Sequence, residues 1–301
     1  MKIVITTSSF AKYDRSPLDE LKKNRIDYTI NPYGRKLTKD EVIGLVKDAD
    51  GIVAGTEQLN DEVLQQLPEL KVISRCGAGL DNVDIAKAKE LDIKVYFTPY
   101  GPTLAVAELT LALMLDLLRK ITAMDRGLRT GVWKKQMGSM LRGKKVGILG
   151  FGRIGQKVAE LLASLGVEIA YYDLRTIEGA IPIMSKNKLL LWADIITLHC
   201  SANTDGKPVI GESELRLMKD NSWLINASRG GLVDEKALYS ALKEGKLSGA
   251  ALDVFNNEPY EGPLRDLENV ILTPHIGSYA KEGRIQMEKD AVQNLINGLK
   301  N

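Results

Sequence analysis

The sequence predicts an α/β protein built from two doubly wound, parallel-sheet (Rossmann-like) domains, and three observations predict it. Short apolar runs alternate with helix-period segments along the chain, the pattern of parallel strands joined by crossover helices. A glycine-rich run, Gly150-Phe151-Gly152-Arg153-Ile154-Gly155, joins one buried strand to a helix in mid-sequence. The 301 residues exceed what one hydrophobic core usually serves, so two domains are expected.

In the first hundred residues the apolar runs include Lys2 to Thr6, Gly51 to Gly55, Lys71 to Arg75 and Lys94 to Phe97. The first is far too short for a signal peptide and reads as a buried strand. After Thr98-Pro99-Tyr100-Gly101-Pro102 the pattern changes to a long helix from Thr103 to about Lys120. Two prolines and a glycine there suit an inter-domain crossing. The apolar stretch Leu104 to Leu118 carries Glu108 and Asp116, which makes it a helix of a soluble protein rather than a membrane span. A second series follows. It comprises the strand that opens at Lys145 and enters the glycine run, then Val167 to Tyr172, Asp194 to Leu198, Ser222 to Asn226, Ser248 to Val254 and Val270 to Thr273, a six-strand count.

The segment Asp48 to Val53 echoes Trp192 to Thr197, which fits either an internal duplication or ordinary turn chemistry before a strand. The last helix, Lys281 to Leu299, has apolar residues at Ile285, Val292, Leu295 and Ile296 and is expected to return to the first domain. The expected domains are therefore 1–98 with 277–301, and 99–276.

Composition narrows the partners. Forty-one basic and 39 acidic residues give a net charge of +2, no field suited to nucleic acid or a membrane surface, so a small molecule is the expected partner. Cys76 and Cys200 lie far apart without metal-ligand spacing, which fits a reducing cytoplasm and no metal site.

The glycine run is a candidate dinucleotide site. Gly150 permits the tight turn, Gly152 lets backbone approach a pyrophosphate, and Gly155 lets the helix Gln156 to Leu165 pack close to the strand. The phosphates would sit at that helix's N-terminus. The next strand ends at Asp173, where an acid that hydrogen-bonds the ribose 2′-hydroxyl belongs, and a carboxylate repels a 2′-phosphate. NAD is thereby favoured over NADP. Arg175 is the counter-indication, because a guanidinium pairs with a 2′-phosphate.

His199 and His275 are the only histidines, so an acid or base working near neutral pH has few candidates. His275 follows the strand Val270 to Thr273 and sits where open α/β sheets bind ligands. His199 also ends a strand, but as a neighbour of the phosphate loop it is expected to pack or to donate one hydrogen bond rather than to catalyse. Arg229, flanked by glycine past the strand ending at Asn226, suits a bidentate carboxylate clamp or a surface ion pair. Glu258 either holds His275 in one tautomer or caps a turn before Pro259.

Several ordered motifs resemble those of the D-isomer-specific 2-hydroxyacid dehydrogenase family over nearly the whole chain. They are Gly77 to Asp84, Ala105 to Leu109, the glycine loop, Asn226 to Glu235, Gly249 to Phe255 with Glu258-Pro259, and Thr273 to Gly277. The resemblance implies a nucleotide domain inserted into a substrate domain made from both chain ends, and a homodimer whose contacts include the 103–120 helix. It places the family's catalytic residues on Arg229, Glu258 and His275. It implies cofactor contacts from Gly150, Gly152, Arg153, Ile154, Gly155, Asp173, Cys200, Ala227, Ser228, Arg229, Asp253, His275, Gly277 and Ser278. Substrate contacts fall on Arg75, Ala78, Gly79, Arg229 and His275, with no metal.

Within the family the chain looks most like 3-phosphoglycerate dehydrogenases, notably at Ser74 to Asn82. Members acting on phosphoglycerate often carry an arginine just after the strand that corresponds to Gly51 to Val53. Here the segment is Val53-Ala54-Gly55-Thr56, so a phosphate would need Arg75, or Arg126 or Arg129 of a second subunit. Ending at Asn301, the chain is expected to lack the regulatory domain of serine-sensitive phosphoglycerate dehydrogenases. A glyoxylate or hydroxypyruvate reductase and a non-catalytic, NAD(H)-binding corepressor are the other readings.

Overall fold

The computed structural model describes residues 1–201, 203 and 206–300, and the chain divides into two compact units, Met1–Thr103 with Ser278–Asn301, and Leu104–Gly277. The crossings read from sequence lie at 98/99 and 276/277, a few residues earlier. The long helix runs Gly101–Arg119 rather than from Thr103, and its first three residues belong to the first unit. Pro102 fits its first turn, where an N–H has no intrahelical partner to lose. Gly101 is required by crowding, since a Cβ there would stand 2.4 Å from Met287 Cγ.

The first unit holds strands β1 (Lys2–Ile5), β2 (Asp27–Ile30), β3 (Gly51–Ala54), β4 (Val72–Arg75) and β5 (Lys94–Phe97) in a parallel sheet of order β2-β1-β3-β4-β5. Strand β2 is the one with no apolar run to announce it, because Asp-Tyr-Thr-Ile is a largely exposed edge strand paired on one side only. Alternation sends side chains to two cores. Val4, Ile52 and Ile73 pack on one face with Val42, Leu64 and Leu67. Ile3, Ile5, Val53 and Val72 pack on the other against the C-terminal helix Lys281–Lys300, through Met287, Ala291, Val292, Leu295 and Ile296. Ile285, expected on that face, is only half-buried, and Met287 takes its place.

The second unit holds β6 (Lys145–Leu149), β7 (Glu168–Tyr172), β8 (Ile195–Leu198), β9 (Ser222–Asn226), β10 (Leu247–Leu252) and β11 (Val270–Leu272) in the order β11-β10-β9-β8-β6-β7. Six strands match the count read from sequence, but a dinucleotide fold places a further strand outside the second. That strand survives as a single bridge between Tyr171 and Ile183, in which Tyr171 N–H donates to the Pro182 carbonyl and Met184 N–H to the Tyr171 carbonyl. The next ladder bond needs an N–H at position 182, and proline has none. The helix Gly101–Arg119 is long and apolar enough to cross a membrane by length and composition, yet half of that stretch is buried in the fold. Ala107, Leu113, Met114, Leu117 and Leu118 pack there against Val146, Ile148, Ile225 and Ala251.

Candidate active site

Every strand of the second sheet delivers a sequence-predicted residue at its C-terminal end. At the end of β6, Gly150 has φ +90, and a Cβ on it would meet Cys200 N at 2.5 Å and the His199 carbonyl at 2.6 Å. The end of β8 thus crowds the loop where the strand order reverses. The following helix runs Arg153–Ala163, starting at Arg153 rather than Gln156, with Gly152 as its N-cap. A Cβ on Gly155 would lie 2.3 Å from the Gly150 carbonyl, whereas one on Gly152 would meet nothing within 4 Å. Gly155 therefore answers to packing, and Gly152 faces open space above the loop. Arg153 is exposed at the helix start and Ile154 is half-buried.

Asp173 follows β7 and turns back to the same loop. Its Oδ2 accepts from Phe151 N–H at 2.7 Å and its Oδ1 from Arg175 N–H at 3.0 Å. The Arg175 side chain is 76% exposed and stands 3.8 Å from the carboxylate. Glycine turn, helix N-terminus and acid converge, and the residues present fit a dinucleotide.

At the end of β8, His199 is turned inward. Its Nε2 pairs with the Thr197 hydroxyl at 2.9 Å, while Nδ1 is shut from solvent without a partner among the described residues. Burial pushes the imidazole down to about 3, so it stays neutral and is unsuited to proton transfer near pH 7. Burial likewise pushes the Cys200 thiol up to about 11. What Cys200 offers the site is its carbonyl, which accepts from the Ser228 hydroxyl at 2.7 Å.

Three neighbouring strand ends carry the remaining groups, with Asn226 level with Leu252 and Leu252 level with Leu272. After β9, Asn226 braces the turn: its Nδ2 donates to the Arg229 carbonyl at 2.9 Å and its Oδ1 accepts from Ser228 N–H at 3.1 Å. Ala227 is buried under this turn. One arm of the Arg229 guanidinium donates to the Ser228 carbonyl at 2.7 Å. Gly230 then passes so near the next loop that a Cβ would lie 1.9 Å from the Phe255 carbonyl. Phe255 N–H donates to Glu258 Oε1 at 3.1 Å, and Glu258 Oε2 lies 2.8 Å from His275 Nδ1. Since a carboxylate only accepts, the proton is on Nδ1, and Nε2 is the nitrogen left for chemistry.

His275 has φ +53, in the left-handed region that non-glycine residues rarely occupy. Asp253 at the end of β10 holds the turn open: the Thr273 hydroxyl and Ile276 N–H donate to Oδ1, and Gly277 N–H donates to Oδ2 at 2.8 Å. Burial raises the Asp253 carboxyl above its ordinary value, and these three donors pull against that. Asn226 and Thr273 are the residues sequence reasoning missed; a polar residue in the last position of a buried strand was the available signal. Arg75, Ala78, Gly79 and Ser278 belong to the first unit. There the Arg75 guanidinium donates to the Cys76 carbonyl and, at 3.4 Å, to Asn82 Oδ1.

Residues 111–277 match the family described as D-isomer specific 2-hydroxyacid dehydrogenase, NAD binding domain. Among curated relatives, the D-3-phosphoglycerate dehydrogenase of Methanocaldococcus jannaschii is 42% identical over 259 residues, covering 82% of this chain and 49% of that protein. The glyoxylate reductase of Thermococcus litoralis is 42% identical over 267 residues, covering 83% and 81%. The chain thus spans about half of the first relative and four fifths of the second. A Thermus thermophilus protein of known crystal structure superposes with a TM-score of 0.93 at 34% identity, covering 100% of this chain and 97% of that one. With its glycine turn, the acid that follows β7 and the histidine–glutamate pair on one sheet edge, the chain belongs to the D-isomer-specific 2-hydroxyacid dehydrogenase family, whose NAD-binding domain its second unit supplies.

Proposed function

We propose that the protein is an NAD-dependent oxidoreductase that interconverts a small D-2-hydroxy acid and its 2-oxo acid. The observation that carries the proposal is the Glu258–His275 pair, held at 2.8 Å with the imidazole Nε2 left for substrate, beside the braced Arg229 turn. The bound cofactor would supply the hydride to carbon 2 in its reduced form, NADH, and take it up in its oxidised form, NAD+. Arg229 binds the substrate carboxylate through parallel N–H donors and polarises the carbonyl oxygen. Protonated His275 gives its Nε2 proton to that oxygen as charge develops, and Glu258 stabilises the imidazolium beforehand. In the oxidative direction neutral His275 takes the hydroxyl proton. Asp173, Gly150, Gly152 and Gly155 hold the adenosine and pyrophosphate part, with the first-turn residues Arg153 and Ile154. Ser228, Cys200, Asp253, Gly277 and Ser278 serve the nicotinamide side, and Arg75, Ala78 and Gly79 the substrate.

Absorbance of NADH and NADPH at matched concentrations, followed with a panel of 2-oxo acids, tests this reading. Turnover with at least one acid and a preference for NADH are expected. Tight NADH binding without turnover of any acid would instead identify a corepressor-like binding protein, and equal use of NADPH would displace Asp173 as the selector. The relatives named as dehydrogenases and reductases favour the enzyme.

The proposal extends to a homodimer formed through the 103–120 helix region. Leu104 and Leu115 are exposed on that helix, and Trp133 and Met137 just beyond it are 83% and 90% exposed. Side chains this apolar are usually covered by a partner. Sedimentation equilibrium should give twice the chain mass, and a monomer for Leu115→Glu; a monomeric wild type removes the proposal.

A further inference from the structure

The turn after β10 carries Glu258, and two successive amides of that turn are each taken by a carboxylate. Phe255 N–H goes to Glu258 itself, and Asn256 N–H donates to Glu235 Oε1 at 2.8 Å. Glu235 is half-buried and opens the helix Glu235–Lys243, 21 residues before its partner. An acid in a first helical turn ordinarily serves its own helix. Here that task falls to the N-cap Asp234, whose Oδ1 accepts from Lys236 N–H at 3.0 Å and Ala237 N–H at 3.1 Å. The Glu235 carboxylate is left to act on the neighbouring loop.

Asn256 N–H belongs to the same peptide group as the Phe255 carbonyl. That group is trans, so its oxygen and its N–H point opposite ways. The oxygen end abuts Gly230, where a Cβ would lie 1.9 Å from the oxygen, 2.5 Å from the carbon and 3.1 Å from the nitrogen. One peptide plane is thus gripped at both ends, by the Arg229–Gly230 turn on its carbonyl side and by Glu235 on its amide side. Turned over, it would set its carbonyl oxygen against the Glu235 carboxylate, and two acceptors repel. Glu235 therefore selects one orientation of the plane from which the chain runs on to Glu258. Across the same turn the Phe255 ring stacks on Tyr260, with centroids 4.4 Å apart. We propose that Glu235 is a positioning residue for the proton transfer: by holding the Phe255–Asn256 peptide it keeps Glu258 against His275 Nδ1. The inference rests on the oxidoreductase reading above. Because Glu235 acts through the backbone, what the turn requires of it is an acceptor in the right place. Glutamine supplies one and alanine does not.

The test first finds which of glyoxylate, hydroxypyruvate and 3-phosphohydroxypyruvate the wild type reduces fastest, and uses that acid throughout. It then measures kcat, KM and the Kd for NADH in the wild type, Glu235→Ala, Glu235→Gln, Glu258→Gln and the double variant Glu235→Ala/Glu258→Gln. Taking kcat per NADH-binding site cancels any loss of folded enzyme, and Glu235→Ser, too short to reach Asn256, serves if Glu235→Ala does not fold. In Glu235→Ala kcat falls about 10-fold, as for a shift well under the 1 Å that costs about 100-fold, while the Kd for NADH stays within about twofold. Glu235→Gln keeps kcat within about threefold of wild type, because the hydrogen bond survives. In the double variant the loss of Glu235 adds less than about twofold to the loss of Glu258, because the two act as one unit. A kcat in Glu235→Ala within about twofold of wild type, equal impairment by glutamine and alanine, or effects at Glu235 and Glu258 that multiply overturn the inference and leave the oxidoreductase reading standing. Absence of turnover of all three acids by the wild type overturns both.

Discussion

His275 pays a conformational cost for its position. Its left-handed backbone is held through Asp253 by the Thr273 hydroxyl before it and the Ile276 and Gly277 amides after it, while Glu258 fixes the ring. Such residues persist only where the surroundings over-determine them, and they concentrate at functional sites. His275→Ala should therefore lower kcat by about 100-fold or more while NADH affinity is retained, since general acid catalysis is worth about that much. Arg229→Ala should in addition raise KM for the 2-oxo acid. Steady-state kinetics with fluorescence titration of NADH check both, and near-normal kcat in His275→Ala would remove it as proton donor. These candidates were legible in the sequence because motif order and residue chemistry agree at Arg229, Glu258 and His275, and the structure brings them to neighbouring strand ends. For His199 the sequence favours a structural role and the ring is indeed turned inward, but its orientation toward Thr197 depends on neighbours that no local pattern records.

At the scale of elements, the Glu258–His275 pair depends on one loop leaning on another. Gly230 allows the Arg229 turn to rest on the Phe255 carbonyl, and Phe255 N–H fixes Glu258. In Gly230→Ala the new methyl would begin 1.9 Å from that oxygen, so backbone must move. Displacement of catalytic groups by about 1 Å costs on the order of 100-fold in rate, so kcat should fall at least 10-fold, with a lowered Tm. Unchanged kcat would show that the two loops are not mechanically coupled. Strands with continuous apolar runs were readable in advance. The edge strand β2 and the one-bridge remnant at Ile183 were not, because the first is largely exposed and the second is set by a proline's missing donor.

At the scale of the whole molecule, the neutral, half-buried His199, its Nδ1 shut from solvent, makes stability depend on pH. The unfolded imidazole takes a proton below about 6.5, but the folded one does so only near 3, so protons favour the unfolded chain between these values. Stability is highest above pH 6.5 and declines as pH falls. At pH 5, about 1.5 pH units below the unfolded value at about 1.4 kcal/mol each, the loss from this residue is about 2 kcal/mol. Denaturant unfolding of wild type and His199→Asn between pH 7 and 5 checks it. The variant should show a shallower decline, and parallel curves would mean that the folded imidazole titrates normally. Fold class and strand count came from the sequence through periodicity, whereas this coupling comes from burial alone.

The proline that ends the strand remnant has a consequence for how the protein behaves in concentrated solution. A parallel sheet exposes a row of unpaired donors and acceptors at each border, a template on which another chain can add. Here one border, β11, is three residues long, and the other is covered by a segment that pairs through Tyr171 alone and carries Pro182. Neither offers a run of backbone on which a foreign strand could register. The six-stranded sheet is thus closed to growth at both sides, and a chain with Pro182→Val, its ladder free to lengthen, should scatter more light on refolding than the wild type at equal concentration.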